Sequence, residues 1–465
     1  MSTSLSNNAR APYHLTLPHS GAQAGTFFFL LFVFIWPFQR APFLTDNLFG
    51  IQGFKPFNLL SGVVLAYLVF DTAPLHATDK IERTSIRIFL LYFATLAIAL
   101  IRSVPNAPLF HSRFPESFPE SYFDFVLSAC IVPTFYTLSF LFTLKRMCSF
   151  QEIERITTVI CLSILLLSIA FVALALMNPS VLLSGHASEM AGPDSANRVL
   201  VARDEMNELC LAYLGTHYNV IGTIYISTVP LLLYRALTRG GLWIAPLGLS
   251  FLAVLLLESR TALVTVAASC SLFLILRRRF DILVLGAAAA GATSLLWIGP
   301  TIDALLSIGL GSSSGFSADA LLTGRVDYIW GPLLSEWTSN IGLFLFGAGR
   351  YGILMSQLWD TGTLIQASTA HNAIIGFFLD CGVIATGVLL IFFLVGTATA
   401  WRVGRRLNSD LYWALFASIF GLGISMATGR DILPTIDNMY AFPIIAMMIN
   451  LARLRYLASQ PAPRE

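Results

Sequence analysis

Residues 156–177 run for 22 positions without a charged side chain. A helix rises about 1.5 Å per residue, so roughly 20 apolar residues cross the hydrocarbon core of a bilayer. Inside lipid every backbone N–H and C=O must find its partner within the protein, which leaves a helix as the form for such a run. Run length picks out twelve candidate spans: 25–39, 57–70, 86–101, 122–144, 156–177, 209–234, 240–257, 261–276, 282–299, 372–400, 411–427 and 434–452. Composition agrees, since 56% of residues are hydrophobic and 12% charged, against about 25% charged in soluble domains. The expected fold is an all-α polytopic membrane protein of about twelve transmembrane helices.

Charge distribution tests that count, because Lys and Arg collect in cytoplasmic loops. With the N-terminus inside, the inward segments hold Lys80, Arg83 and Arg87, then Lys145, Arg146 and Arg155, then Arg235 and Arg239. Arg277, Arg278 and Arg279 follow, then Arg402, Arg405 and Arg406, and finally Arg453 and Arg455. Together with Arg10 and Arg464, that side carries 18 of the 28 basic residues. The resulting division is a tail at 1–24, spans one to nine over 25–299, an outer loop at 300–371, spans ten to twelve over 372–452, and a tail at 453–465. The first span follows a mixed polar stretch without a small-residue cleavage site, so it reads as a retained anchor.

The outward segments differ from the inward ones. Residues 40–56, 102–121 and 178–208 are of moderate length and contain Pro, Asn and acidic residues. The loop at 300–371 is far longer, and loops of that size in compact proteins usually have a function. Within it, residues 317–337 place Leu321, Leu322, Val326, Ile329, Trp330 and Leu333 at near-helical spacing. Gly331-Pro332 kinks or divides that helix, and the tryptophans suit headgroup depth. The expectation is an interfacial or re-entrant helical cap.

The distinctive polar residues gather on the outer side. Glu258-Ser259-Arg260-Thr261 joins spans seven and eight with almost no loop, setting Arg260 at a helix start at membrane depth. It is read either as an ion-pair partner of Glu258, as a side chain snorkelling to the interface, or as part of a site. Arg325 lies in the amphipathic part of the long loop, as a solvated helix charge or a site residue. Gly347-Ala348-Gly349-Arg350-Tyr351-Gly352 matches GxGxxG formally. With no preceding strand it is not a dinucleotide site; its glycines suit tight turns, and Arg350 is placed to help hold an anion. Tyr218-Asn219 interrupts the sixth span, facing a cavity or packing against a neighbour. His371-Asn372 opens the tenth span, either as an interfacial histidine with a helix cap from Ser368, Thr369 or Asn372, or as a catalytic histidine beside a substrate-binding asparagine, with Arg350 and Asn219 as further substrate-binding candidates.

No HExxH, no paired Cys/His set and no GxSxG elbow is present, so metal-independent chemistry without a cofactor is expected. The six cysteines show no CxxC spacing and fall mostly in apolar runs, where they act as small hydrophobes. Basic residues form no single face of the kind that binds nucleic acid. Arg260, Arg325, Arg350 and His371 remain, with Asn219 and Asn372. Guanidinium forks bind phosphate bidentately, and a histidine can take a proton from an attacking hydroxyl.

Ser259-Arg260-Thr261-Ala262-Leu263, Gly324-Arg325, Phe346-Gly347-Ala348-Gly349 and His371-Asn372, with Gly382 and Gly387 downstream, resemble the O-antigen ligase and polysaccharide polymerase superfamily. The resemblance is strongest over residues 210–400. It implies a GT-C-like membrane glycosyltransferase of the inner membrane, working at the periplasmic face. The implied donor is an undecaprenyl-pyrophosphate-linked glycan, and the implied acceptor is lipid A-core for a ligase or another lipid-linked glycan for a polymerase. Arg260 and Arg325 would then hold the pyrophosphate and His371 would assist the acceptor, without metal or ATP. The outward segments at 102–121 and 178–208 exceed those of a compact ligase. A twelve-helix transporter is the reading from another class, although no paired interrupted helices occur in the two halves.

Overall fold

The computed structural model describes residues 20–45, 55–70, 80–115, 118–127, 131–178, 206–257, 259–293, 326–360, 370–428 and 438–459. Among them the chain is helical, with no strand. The helices used below are α1 (Ser20–Ile35), α2 (Pro56–Phe70), α3 (Lys80–Ser103), α4 (Ala107–Arg113), α5 (Tyr122–Val126), α6 (Val132–Arg146) and α7 (Phe150–Met177). They continue as α8 (Tyr218–Arg239), α9 (Ile244–Leu256), α10 (Arg260–Leu276), α11 (Phe280–Thr293), α12 (Gly331–Ser339) and α13 (Ile341–Phe346). The last three are α14 (Ala373–Leu407), α15 (Asp410–Thr428) and α16 (Ala441–Ser459).

A helix overlaps each of the twelve expected ranges, with shifted ends. Hydropathy marks only the apolar middle, whereas the helix continues into polar flanks such as Arg402–Leu407 at the end of α14. The fourth range contains two helices, α5 and α6. Four helical stretches among the described residues are long and apolar enough to cross a membrane: Arg83–Arg113, α7, α8 and α14. Six shorter apolar helices accompany them. Apolar faces such as Ile98 and Ile101 on α3, and Ile391 and Leu394 on α14, stay exposed. A face of that kind fits lipid and not water. This is an all-α membrane protein.

The main core surrounds α8, which is buried along nearly its whole length. In lipid, helices are joined by close packing of small residues and by buried polar bonds more than by the hydrophobic effect. Both devices occur here. A Cβ on Gly222 of α8 would meet the Ala262 methyl of α10 at 2.9 Å, so these helices cross at close range. The Ser168 hydroxyl on α7 bonds Tyr225 of α8 at 2.9 Å and Ser250 of α9 at 3.0 Å.

One end of the bundle gathers the basic clusters. Arg235, late in α8, is buried and pairs with Glu154, early in α7. The same carboxylate accepts from the Tyr234 hydroxyl at 2.5 Å. Arg277, just past α10, pairs with Asp410 of α15 at 2.5 Å. Asn450 of α16 donates to the carbonyls of Thr143 and Met147, at 2.9 and 2.8 Å, where α6 finishes. Lys145, Arg146, Arg155, Arg239, Arg402, Arg405 and Arg406 flank these contacts in the chain.

A second, smaller core sits apart from the first. It joins Ala107 and Phe110 of α4, Phe125 of α5, Leu333 and Trp337 of α12, Ile353, Leu354, and Phe378 and Leu379 of α14. The described part of the long loop is therefore a helical cap, with Pro332 in the first turn of α12 as its divider. Glu336 of α12 accepts from the Ser356 hydroxyl and from the Gln357 amide, tying the end of the cap to its beginning.

Candidate functional site

The structure arranges the expected site residues in two sets. The first lies where α8 and α10 begin. His217 caps α8, its Nδ1 accepting from the Asn219 amide at 3.1 Å. Asn219 Oδ1 accepts from the Ser259 hydroxyl at 3.3 Å, and Ser259 Oγ accepts from the Ala262 amide as the cap of α10. Asn219 is thereby bonded to the residue just before Arg260, and both helices start at the same end. The side chain of Arg260 lies outside the described residues, as do Glu258 and Arg325. His217 was not among the expected residues, although a histidine two positions before the polar Asn219 was the available signal.

The second set lies on α14. Asn372 caps it, accepting from the amides of Ile374 and Ile375 at 3.0 and 3.1 Å. Immediately before the cap, His371 is held at φ +52°, in the left-handed region that only a few per cent of residues other than glycine occupy, Asn, Asp and His most often. The Trp330 indole N–H, five residues past Arg325 in the chain, donates to the Ala370 carbonyl at 2.7 Å. The cap is thus fastened to the residue preceding His371.

Eleven residues further on, α14 is broken at Gly382, whose φ of +78° and ψ of +175° are not helical. The break frees the carbonyls of Leu379 and Asp380, and the glycine-rich turn fills it. Ala348 N–H donates to Leu379 O and Gly349 N–H to Asp380 O, each at 2.9 Å. Trp337 Nε1 also donates to Leu379 O, at 3.1 Å. A Cβ at Gly347 would lie 2.4 Å from the Asp380 carbonyl, so only glycine permits this approach. The turns expected from Gly347, Gly349 and Gly352 are present, and their docking partner is the helix break. Irregular backbone at membrane depth is tolerated where protein covers it, as here.

Arg350 leaves this turn toward Asp380, with Nη1 3.0 Å from Oδ2. The other carboxylate oxygen accepts from the Gly352 amide at 2.7 Å. The guanidinium also lies over the Tyr351 ring, 4.3 Å from its centre. Exposure of the two charged side chains is 12% and 7%, so the pair is nearly dry. Asp380 escaped the sequence reading, yet a single carboxylate inside an apolar run is itself a signal, because such a group needs a partner.

The helices that carry the two sets meet at their far ends. Arg277 at the close of α10 meets Asp410, which follows α14 by three residues. α10 and the second half of α14 therefore finish together at the basic end and begin away from it. No family model and no curated protein matches the chain.

Proposed function

We propose that the chain is a twelve-pass, GT-C-like glycosyltransferase of a bacterial inner membrane, with both termini in the cytoplasm. The observation that carries this reading is the shared direction of α10 and the second half of α14. α10 and the second half of α14 both finish among the basic clusters, where Arg277 meets Asp410, so Arg260 and the break at Gly382 lie away from them, and His371 opens the short half-helix that leads into that break. Under the positive-inside rule the basic end is cytoplasmic, and the start of α10 and the break in α14 then lie toward the periplasm.

In this reading the donor is a glycan on undecaprenyl pyrophosphate and the acceptor is a sugar hydroxyl, on lipid A-core for a ligase or on another lipid-linked glycan for a polymerase. The acceptor oxygen forms a bond to the anomeric carbon while the bond from that carbon to the pyrophosphate breaks. His371 takes the hydroxyl proton, a contribution of about a hundred- to ten-thousand-fold. Arg260 and Arg325 carry the charge of the departing pyrophosphate. Asn219 and Asn372 orient the two helix starts, through Ser259 and through the amides of Ile374 and Ile375. The filled helix break also favours an enzyme over a transporter, because the carbonyls that a transported ion would use accept from Ala348, Gly349 and Trp337.

Arg260→Ala and His371→Ala, each inserted at normal levels, should abolish glycan transfer. Retained transfer in both would sink the mechanism. Deletion followed by glycan analysis separates the two acceptors. Loss of long chains from lipopolysaccharide with donor accumulation marks a ligase, and single-repeat caps or a missing polysaccharide mark a polymerase.

A further inference from the structure

The glycosyltransferase reading assigns work to His371 but leaves open what holds it still. The first half of α14, residues 373–381, is nine residues long, hence a rod of about 13 Å. It is fixed at both ends by the cap. At its start Trp330 bonds the Ala370 carbonyl, and at its end the glycine-rich turn bonds the carbonyls of Leu379 and Asp380. That turn is anchored in its own right: Arg350 N–H donates to Ala99 O at 2.9 Å, and the Ser103 hydroxyl donates to Arg350 O at 2.6 Å. Arg102 adds bonds to the carbonyls of Phe346 and Gly347, at 2.7 and 2.8 Å. Three elements meet here, namely the end of α3, the cap and the broken helix. The buried charges at the junction are Arg350 and Asp380.

We propose that Arg350 and Asp380 are positioning residues, which clamp the half-helix and so hold His371 in its left-handed conformation at the acceptor. The proposal rests on the glycosyltransferase reading. It moves Arg350 from the donor's phosphates to the carboxylate and aromatic ring that already engage it. Asp380 does three things at once: its carboxylate takes Arg350 and the Gly352 amide, and its carbonyl takes the Gly349 amide. A residue bonded in three directions at a helix break defines where the half-helix ends and, through a rigid rod, where it begins. Misplacement of a catalytic group by about 1 Å can cost about a hundredfold in rate.

Asp380→Asn is the informative variant, because the amide oxygen can still accept from Gly352 while the charge is gone. Arg350→Lys keeps the charge and loses the flat face over Tyr351, and Arg350→Gln loses both. Two measurements on purified full-length protein in nanodiscs decide the matter: amide hydrogen exchange over 343–352 and 372–381, and transfer kinetics with lipid-linked donor. The expected result for Asp380→Asn is faster exchange in both segments and a kcat lower by roughly ten- to a hundredfold, with the donor KM unchanged. Arg350→Lys should recover most of the turnover that Arg350→Gln loses.

Unchanged exchange in Asp380→Asn would overturn the clamp whatever the activity. Faster exchange with full turnover, while His371→Ala is inactive, would overturn the positioning role. A raised donor KM at normal kcat in Arg350→Gln would return Arg350 to the donor site. If exchange responds as expected but the wild-type protein transfers no glycan, the glycosyltransferase reading fails and takes the catalytic half of the proposal with it.

Discussion

Gly382 and Leu345 approach so closely that a Cβ on residue 382 would lie 2.2 Å from the Leu345 carbonyl oxygen. The backbone at Gly382 also occupies a region that glycine alone adopts readily. Gly382→Ala therefore meets two obstacles, a conformational cost of about 1–3 kcal/mol and a backbone collision that only displacement of α13 can relieve. Thermal unfolding of the purified protein should show a clear drop in midpoint, together with faster amide exchange at Ala348 and Gly349. Gly387, whose added Cβ would meet nothing within 4 Å, should accept alanine without a lower midpoint and serves as the control.

The contrast between these two glycines shows what the sequence could and could not reveal. Apolar run length located the helices, because the bilayer imposes one length and one backbone form on every crossing segment. The clustered basic residues gave the polarity of the bundle, and Glu154–Arg235 and Arg277–Asp410 now bring those clusters together. Gly382 and Gly387 both sit in an apolar run, and nothing local separates a helix break from a helical glycine. Only the turn at residues 347–352, some 30 positions earlier, makes one of them special. Asp380 was overlooked for the same reason, since its meaning depends on Arg350. Asn372 was legible as a cap because a capping bond is local and its partners lie within the next helical turn, whereas the partner of Asn219 is Ser259, 40 positions on, which nothing local announces.

At the basic end, run length puts Arg235 in an inward loop, whereas the structure buries it against Glu154, Thr158 and the rings of Tyr234 and Trp243. Its Nη2 donates to Glu154 O and Thr158 Oγ1, each at 2.6 Å. Removing one member of such a pair strands the other charge in a dry site, at a cost of about 3–5 kcal/mol. Arg235→Ala should lower the unfolding midpoint far more than Arg239→Ala, whose side chain is 64% exposed. Equal midpoints would contradict the burial.

Arg102 forks onto the carbonyls of Phe346 and Gly347, at the C-terminal end of α13. A cation at that position satisfies carbonyls left without helical partners and meets the negative end of the dipole. Arg102 is exposed, so water competes for its bonds and they contribute about 0.2–1 kcal/mol, enough for Arg102→Ala to free the cap locally. Arg102→Lys should give an intermediate result, because an ammonium lacks the fork. Limited proteolysis within 340–352 provides the measurement. Cleavage should be fastest in the alanine variant, slower in lysine and slowest in the wild type.

His371 combines a left-handed backbone with the start of a clamped helix, and the combination separates stability from function. A residue with a Cβ held at φ +52° gives up about 1–2 kcal/mol relative to its right-handed form, and glycine is free of that penalty. Strain of this sort persists where the surroundings over-determine it, and it collects at functional positions. Asn372, next in the chain, supplies the cap of α14. His371→Gly should therefore unfold at or above the wild-type midpoint while losing glycan transfer as completely as His371→Ala. Asn372→Ala should do the reverse, losing about 0.5–2 kcal/mol with the cap and retaining some transfer. A His371→Gly protein that is both less stable and fully active would place the histidine among the packing residues, and the catalytic assignment would fall.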